Sequence, residues 1–204
     1  MKADTRNKKA GRRSKADTRR RILDATLSIA AAKGFEQTTT AEIARRAGVA
    51  EGSIYNYFRN KDDLLIHMVS EFAGSFLSEL AQQVSVEEDP LLRLERLIAF
   101  HIRFFTKEGS IFQVIYGKRP GTKIQMARII RVAIGPYAGL IEDILREGIA
   151  QGRLRDVNAQ IAASFLLGGM QLTILRRFFD LADYDPGQAI EEIRGIYLNG
   201  LLKR

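Results

Sequence analysis

The side chains able to do chemistry are concentrated in one short run. Gly52, Ser53, Tyr55, Asn56 and Tyr57 lie within Thr38–Lys61, TTTAEIARRAGVAEGSIYNYFRNK. Each offers a hydrogen-bonding group, or no side chain at all. Carried on the outward face of a helix, such residues suit the donors and acceptors of base edges in a DNA major groove. Ile54 and Phe58, four apart, supply the inward face of that helix, which the pattern predicts over 51–58. Thr39, Thr40, Tyr57 and Lys61 are also expected at the DNA, the last three suited to phosphate oxygens, and Arg45 lies on the outer side of the preceding helix. Lys61 stands at a helix start, where a cation opposes the dipole unless an anion meets it.

Catalytic chemistry has no comparable support. The chain has no Cys, which excludes a thiol nucleophile, disulfides and Cys-based metal sites. His67 and His101 are its only histidines, without metal-ligand spacing. No nucleophile elbow or phosphate-binding loop occurs. No enzyme activity, cofactor or metal is expected, and both histidines read as packing residues.

The elements that must position the hydrogen-bonding run can be read from local signals. Thr39 and Glu42 have the spacing of a capping box. Ile43, Ala44 and Ala47 share one face of the helix that follows. Gly48 stands where that helix must end in a left-handed residue, and Val49 reads as the buried residue of the turn. Ala50 offers no cap to the next helix. Asn60 caps the helix after it. A first helix over 15–33 shows Ile22, Leu23, Leu27 and Ala30 on one stripe and stops at Lys33-Gly34.

The run G-F-x-x-T-T-T-x-x-I-A-x-x-A-G-V-x-x-G-S-I-Y-x-Y-F, Gly34 to Phe58, is followed by Asn60-Lys61-Asp62-Asp63-Leu64. It resembles the DNA-binding domain of TetR-family transcriptional regulators, over about residues 16–65. The resemblance implies that Lys61 meets a phosphate. It also implies an effector pocket and a dimer interface in the remainder of the chain. Ala50 departs from the family's usual Ser or Thr cap, a loss of about 1 kcal/mol.

Charge agrees with a nucleic-acid partner. Residues 1–61 hold 15 Lys+Arg against 6 Asp+Glu, whereas 62–204 hold 17 against 18, so the net +8 resides in the first third. Residues 1–14 are basic and aperiodic and read as a disordered arm. Met1 is followed by charged residues rather than an apolar run, so a cytoplasmic location is expected. Val157–Leu175 is uncharged, but its Asn, Gln, Ser, Thr and Gly residues fit a helix packed between subunits better than a membrane span.

Beyond Lys61, helical periodicity continues without a strand pattern, giving an all-α chain of about nine helices. The expected domains are an arm over 1–14, a helix-turn-helix domain over 15–61 and a ligand-binding and dimerisation domain over 62–204. Asp89-Pro90, Asn158 and Asp185-Pro186 read as helix starts, and Gly135-Pro136 as a kink in a helix over 122–151. Phe104, Phe105, Phe112, Ile115, Tyr116, Ile134, Tyr137, Phe165 and Gln171 are the expected pocket lining, apolar and aromatic around a few polar groups. That composition favours a lipophilic effector. The Arg155–Gln160 run resembles fatty-acid-responsive members of the family, which brings in an acyl-CoA with Lys118 and Arg119 as its cations.

Ala163, Leu166, Leu167, Met170, Ile174, Ile193, Ile196 and Tyr197 are the expected dimer contacts, pairing the last two helices as a four-helix bundle. The reading is a ligand-responsive repressor that binds a palindromic operator as a homodimer, with double-stranded DNA and a small lipophilic molecule as partners and no membrane. The alternative is a ligand-independent architectural DNA binder.

Overall fold

The computed structural model describes residues 3–116 and 123–202, with side chains at 14–112, 114–115 and 126–202. Lys118 and Arg119, and the side chain of Tyr116, lie outside the described residues. The helices are α1 Ala3–Lys33, α2 Thr40–Ala47, α3 Glu51–Ile54, α4 Lys61–Val84, α5 Pro90–Lys107, α6 Ser110–Tyr116 and α7 Lys123–Ile129. A π-helical turn, Ile130–Ile134, leads into α8 Gly135–Ala150, and α9 Ala159–Phe178 and α10 Pro186–Leu201 follow. The segments α7, π turn and α8 form one unbroken run, so the count is nine helices, with no strand, among the described residues.

Most boundaries are set by short-range hydrogen bonds. Asn60 Oδ1 accepts from the Asp63 amide at 2.8 Å, Asp89 Oδ1 from Leu91 at 2.9 Å, Asn158 Oδ1 from Ile161 at 3.1 Å and Asp185 Oδ2 from Gln188 at 3.0 Å. Each satisfies an amide that a helix start leaves unpaired. Gly48 and Gly152 end their helices at φ +66° and +69°, where a Cβ would be strained.

Three features differ from the sequence reading. The arm expected to be disordered over 1–14 is helical from Ala3. The reason is that its Lys, Arg and Ala residues extend a helix already nucleated downstream, which costs far less than starting one. The helix expected over 51–58 is regular only over Glu51–Ile54. Beyond it Asn56 and Tyr57 donate three residues back, to Ser53 and Ile54, as a tightened turn. The kink expected at Gly135-Pro136 is a π turn, in which the Gly135 amide reaches the Ile130 carbonyl. Pro136 has no N–H to continue the ladder, and the wider turn carries the chain past that gap.

The chain divides into two compact units, residues 1–71 with 110–128 and residues 72–109 with 129–204. The boundary therefore falls within α4 rather than before it, and α6 packs on α1 in the first unit. In that unit Ile22, Leu23, Ile43, Ile54, Phe58, Leu64 and Met68 are buried. In the second, Leu94, Leu97, Ile98, Ile102, Ile141, Ile144 and Met170 are buried among α5, α8, α9 and α10. By length and composition α4 could cross a membrane, but it buries Leu64, Leu65, Met68, Val69, Phe76 and Leu80 and starts with two aspartates, as a core helix does.

Close packing within the second unit makes Gly148 obligatory. A Cβ there would lie 2.7 Å from Leu154 Cδ1, 2.9 Å from its Cγ and 3.3 Å from Pro90 Cβ. Gly148→Ala is expected to destabilise the chain by roughly 1–3 kcal/mol, read as a lower urea midpoint at unchanged slope. An unchanged midpoint would show that Leu154 can move aside freely.

Candidate nucleic-acid interface and effector site

The start of α2 is clamped by the end of α1. Thr39 Oγ1 accepts from the Glu42 amide at 3.2 Å, and Glu42 Oε2 accepts from the Thr39 amide at 3.0 Å, a reciprocal capping box. Lys33 Nζ lies 2.6 Å from both oxygens of Glu42. That hydrogen bond, joined by those from Thr39, lowers the Glu42 carboxyl from 4.5 to about 2. At the other end of α2, the Arg21 guanidinium donates to the Ala47 carbonyl at 3.0 Å, placing a cation where the helix is electronegative. Gly48 then turns the chain, and Ala50 leaves α3 without a side-chain cap.

Past this turn, Ile54 and Phe58 are buried, while Gly52, Tyr55 and Asn56 are exposed, Tyr55 by 56%. A Cβ on Gly52 would meet only open space, so the backbone is unobstructed there. Ser53 and Tyr57 are half-buried. Arg45, Arg46 and Arg59 are exposed cations on the same unit; Arg59, adjacent to the buried Phe58, was not singled out from sequence.

Two expected phosphate contacts are already engaged. Thr40 Oγ1 donates to Glu51 at 2.6 Å. Lys61 Nζ donates to the Glu36 carbonyl at 2.9 Å and sits 5.0 Å from the centre of the Phe35 ring. The cation at the helix start is thus offset by a carbonyl dipole and a π face. Thr39 is committed to its cap.

In the second unit an aromatic cluster gathers around Phe76. Its ring centre lies 5.0 Å from those of Phe104 and Tyr137, 5.1 Å from Phe105 and 5.6 Å from Phe100. His101 stacks on Tyr137 at 5.7 Å and is fully buried. Of the expected pocket residues, Phe104, Phe105 and Tyr137 therefore share one cluster. Ile134 is half-buried on the π turn, and Gln171 half-buried on α9. Phe112 and Ile115 belong to the first unit instead, on the helix that packs against α1. Phe76, Phe100 and His101 join the cluster without having been expected as lining, His101 having read as a packing residue; aromatic spacing four and five residues before Phe105 was the available signal for the last two.

Phe165 stands outside this cluster. It is 70% exposed on α9, because Ala163, Leu166, Leu167, Met170 and Ile174 turn into the core and leave Ile161, Phe165 and Leu172 on the opposite face. Those five core residues were expected at a dimer interface; they are buried within the subunit. Tyr197 is buried too, its hydroxyl donating to the Ala162 carbonyl at 2.8 Å. Ile193 is half-buried, and Ile196 is 69% exposed. Ile161, Phe165, Ile196 and Gly200 line one shallow groove between α9 and α10.

Residues 22–68 match the family described as bacterial regulatory proteins, tetR family, and residues 87–174 match the tetracyclin repressor-like C-terminal domain. The chain belongs to the TetR family. It is a TetR-family transcriptional regulator with a DNA-binding helix-turn-helix. Among its relatives, the fatty acid metabolism regulator protein of Bacillus subtilis is 25% identical over 181 residues, covering 88% of this chain and 93% of that protein. A nucleoid occlusion factor, SlmA of Vibrio vulnificus, is 24% identical over 184 residues, covering 87% of this chain and 92% of that one. Among solved structures, the fatty acid degradation regulator FadR of Bacillus halodurans superposes with a TM-score of 0.79 at 25% identity, covering 92% of this chain and 97% of that one. FadR of Bacillus subtilis in complex with stearoyl-CoA gives 0.79 at 24% identity, covering 88% and 97%, which shows a shared fold.

Acid should act on the α1–α2 clamp. Because the Glu42 carboxyl is lowered in the folded chain from 4.5 to about 2, its contribution is complete above about pH 4.5 and lost as pH falls through about 2. Glu42→Gln is expected to lower the melting temperature at neutral pH, with the deficit vanishing toward pH 2. Melting curves of wild type and variant separated by a constant interval from neutral pH to pH 2 would refute this origin.

Proposed function

We propose that this TetR-family protein is a homodimeric repressor that binds a palindromic operator and is released by a lipophilic effector, with a fatty acyl-CoA as the leading class. The observation that carries the DNA half is the exposed run Gly52, Tyr55 and Asn56, displayed beside a buried Ile54 and Phe58 on the unit that holds the basic third of the chain. Gly52, Ser53, Tyr55 and Asn56 face base edges and specify; Arg45, Tyr57 and Lys61, with Thr40, hold phosphates and position. Thr40 exchanges its contact to the Glu51 carboxylate, and Lys61 its contact to the Glu36 carbonyl, for phosphate oxygens on binding. The protein works in the cytoplasm as a regulator rather than as an enzyme.

The dimer half rests on the face left by α9 and α10. Ile161, Phe165 and Leu172 on α9 and Ile196 on α10 are exposed apolar residues on helices whose other sides already fill the core. A second copy covers it by two-fold symmetry, which in turn sets two recognition segments on two half-sites. The effector reading rests on the Phe76 cluster and on the stearoyl-CoA complex of the Bacillus subtilis relative. Helix α4 is unbroken from Lys61 to Val84 and carries residues of both units, so it is the element through which effector binding changes DNA affinity. The effector acts only through unequal affinity for the two forms.

A second reading is architectural, favoured by the nucleoid occlusion factor among the relatives. Selection of genomic fragments on the purified protein, followed by sequencing, separates the two. A palindromic consensus is expected, with affinity for it lowered by palmitoyl-CoA; enrichment without a consensus, indifferent to acyl-CoA, would favour the architectural reading. Phe165→Glu is expected to give a monomer by sedimentation and to weaken operator binding at fixed salt, while the melting temperature of the monomeric unit changes little. A dimeric Phe165→Glu variant would remove α9 from the interface.

A further inference from the structure

We propose that His101, held in one tautomer by Tyr137, is the hydrogen-bond donor that reads a carbonyl oxygen on the lipophilic effector. The inference rests on the effector-responsive reading above and names the chemistry of that site. His101 lies on α5 with 0% of its surface exposed. Its Nδ1 is 3.2 Å from the Tyr137 hydroxyl, and its Nε2 is buried without a hydrogen-bond partner among the described residues. Buried polar atoms are partnered in nearly all folded proteins, so an orphan of this kind calls for an explanation.

The tautomer follows from counting donors and acceptors. If the Tyr137 hydroxyl donates to Nδ1, the ring proton sits on Nε2 and one donor is left over. If Nδ1–H donates to Tyr137 instead, two groups are left over: the phenol proton and the bare Nε2 lone pair. The first arrangement strands fewer groups, and burial pushes Tyr137 well above its ordinary 10, which keeps its proton in place. Nε2 therefore presents an N–H. Among the described residues, the aromatic rings that meet the imidazole are Phe105 at 4.8 Å, Tyr137 at 5.7 Å and Phe76 at 6.1 Å between ring centres, and none of these rings carries a carbonyl or carboxylate.

Burial also lowers His101 from 6.5 to about 3, so the ring is neutral at physiological pH. A neutral donor among phenylalanines matches an uncharged carbonyl, as in an ester or thioester, and adds no charge to attract a free carboxylate. Half-buried Phe100, Phe104 and Phe105 supply apolar walls for the attached chain. A site that leaves a buried donor unpaired rejects the analogue that lacks the acceptor.

The test uses the full-length protein and two probes, palmitoyl-CoA and S-hexadecyl-CoA, the thioether that lacks only the carbonyl. Calorimetry on the wild type is expected to give about tenfold tighter binding of the thioester. His101→Phe should bind both probes equally. Tyr137→Phe retains the imidazole while freeing its tautomer, and should shrink the preference. Nitrogen-15 spectra of labelled histidine should place the proton on Nε2 in the wild type and show mixed tautomers in Tyr137→Phe. Equal wild-type affinity for the two probes would overturn the role of His101 and leave the effector class standing. Retention of the preference by His101→Phe would overturn it as well, and so would a water cross-peak at Nε2–H in the palmitoyl-CoA complex. If neither probe binds or displaces DNA, the effector class itself falls, and the proposal with it.

Discussion

A helix of four residues cannot hold itself. The segment Glu51–Ile54 is too short to repay the entropy of nucleation, and it has no side-chain cap. Its direction is imposed from outside. Ile54 and Phe58 are pinned in the core, the Arg19 guanidinium lies 5.8 Å from the Phe58 ring centre, and the Gly48 turn fixes the approach from α2. Helix α2 is in turn held at both ends by α1, through Lys33 at its start and Arg21 at its finish. A long first helix is therefore needed so that a very short one can point outward with its polar side chains free.

The features legible in the sequence are those whose cause is local. The caps at Thr39, Asn60, Asp89, Asn158 and Asp185 each bind an amide two or three residues on, so residue type and spacing suffice to locate them. Gly48 and Gly152 are equally readable, because only their backbone angle matters. The outward set Gly52, Tyr55 and Asn56 was legible for the same reason, once Ile54 and Phe58 defined the inward side. By contrast, Lys61 meets a carbonyl 25 positions earlier, and Thr40 a carboxylate 11 positions later. No windowed pattern contains those pairs.

The uncharged helix α9 shows why apolar composition alone misleads. Most surface helices mark their solvent side with charge, and the core side follows by elimination. Between Asn158 and Leu175 no charge supplies that mark, so Leu166 and Phe165 look alike in sequence. In the fold one is buried and its neighbour is 70% exposed. The phenylalanines of α5 were recognisable as a group and the histidine among them as a packing residue, but its unpaired Nε2 was not. Its environment depends on Tyr137, 36 residues away on another helix, and on the absence of a second partner.

The π turn at Ile130–Ile134 is a place in its helical run where the residue count can change without a change of phase. One surplus residue is absorbed there, and the helix beyond Pro136 keeps its phase. Each residue of an α-helix turns the following side chains by about 100°. A chain with one residue deleted within Ile130–Ile134 could close the turn into regular helix and leave Tyr137, Ile141, Ile144 and Leu145 on the core, whereas a residue deleted between Pro136 and Ile141 would swing Ile141, Ile144 and Leu145 off it together. Drift in sequence at these positions is thus tolerable in kind but not in number. Insertions and deletions among related chains belong instead at this turn and in the connections between helices, where no downstream face has to change its phase.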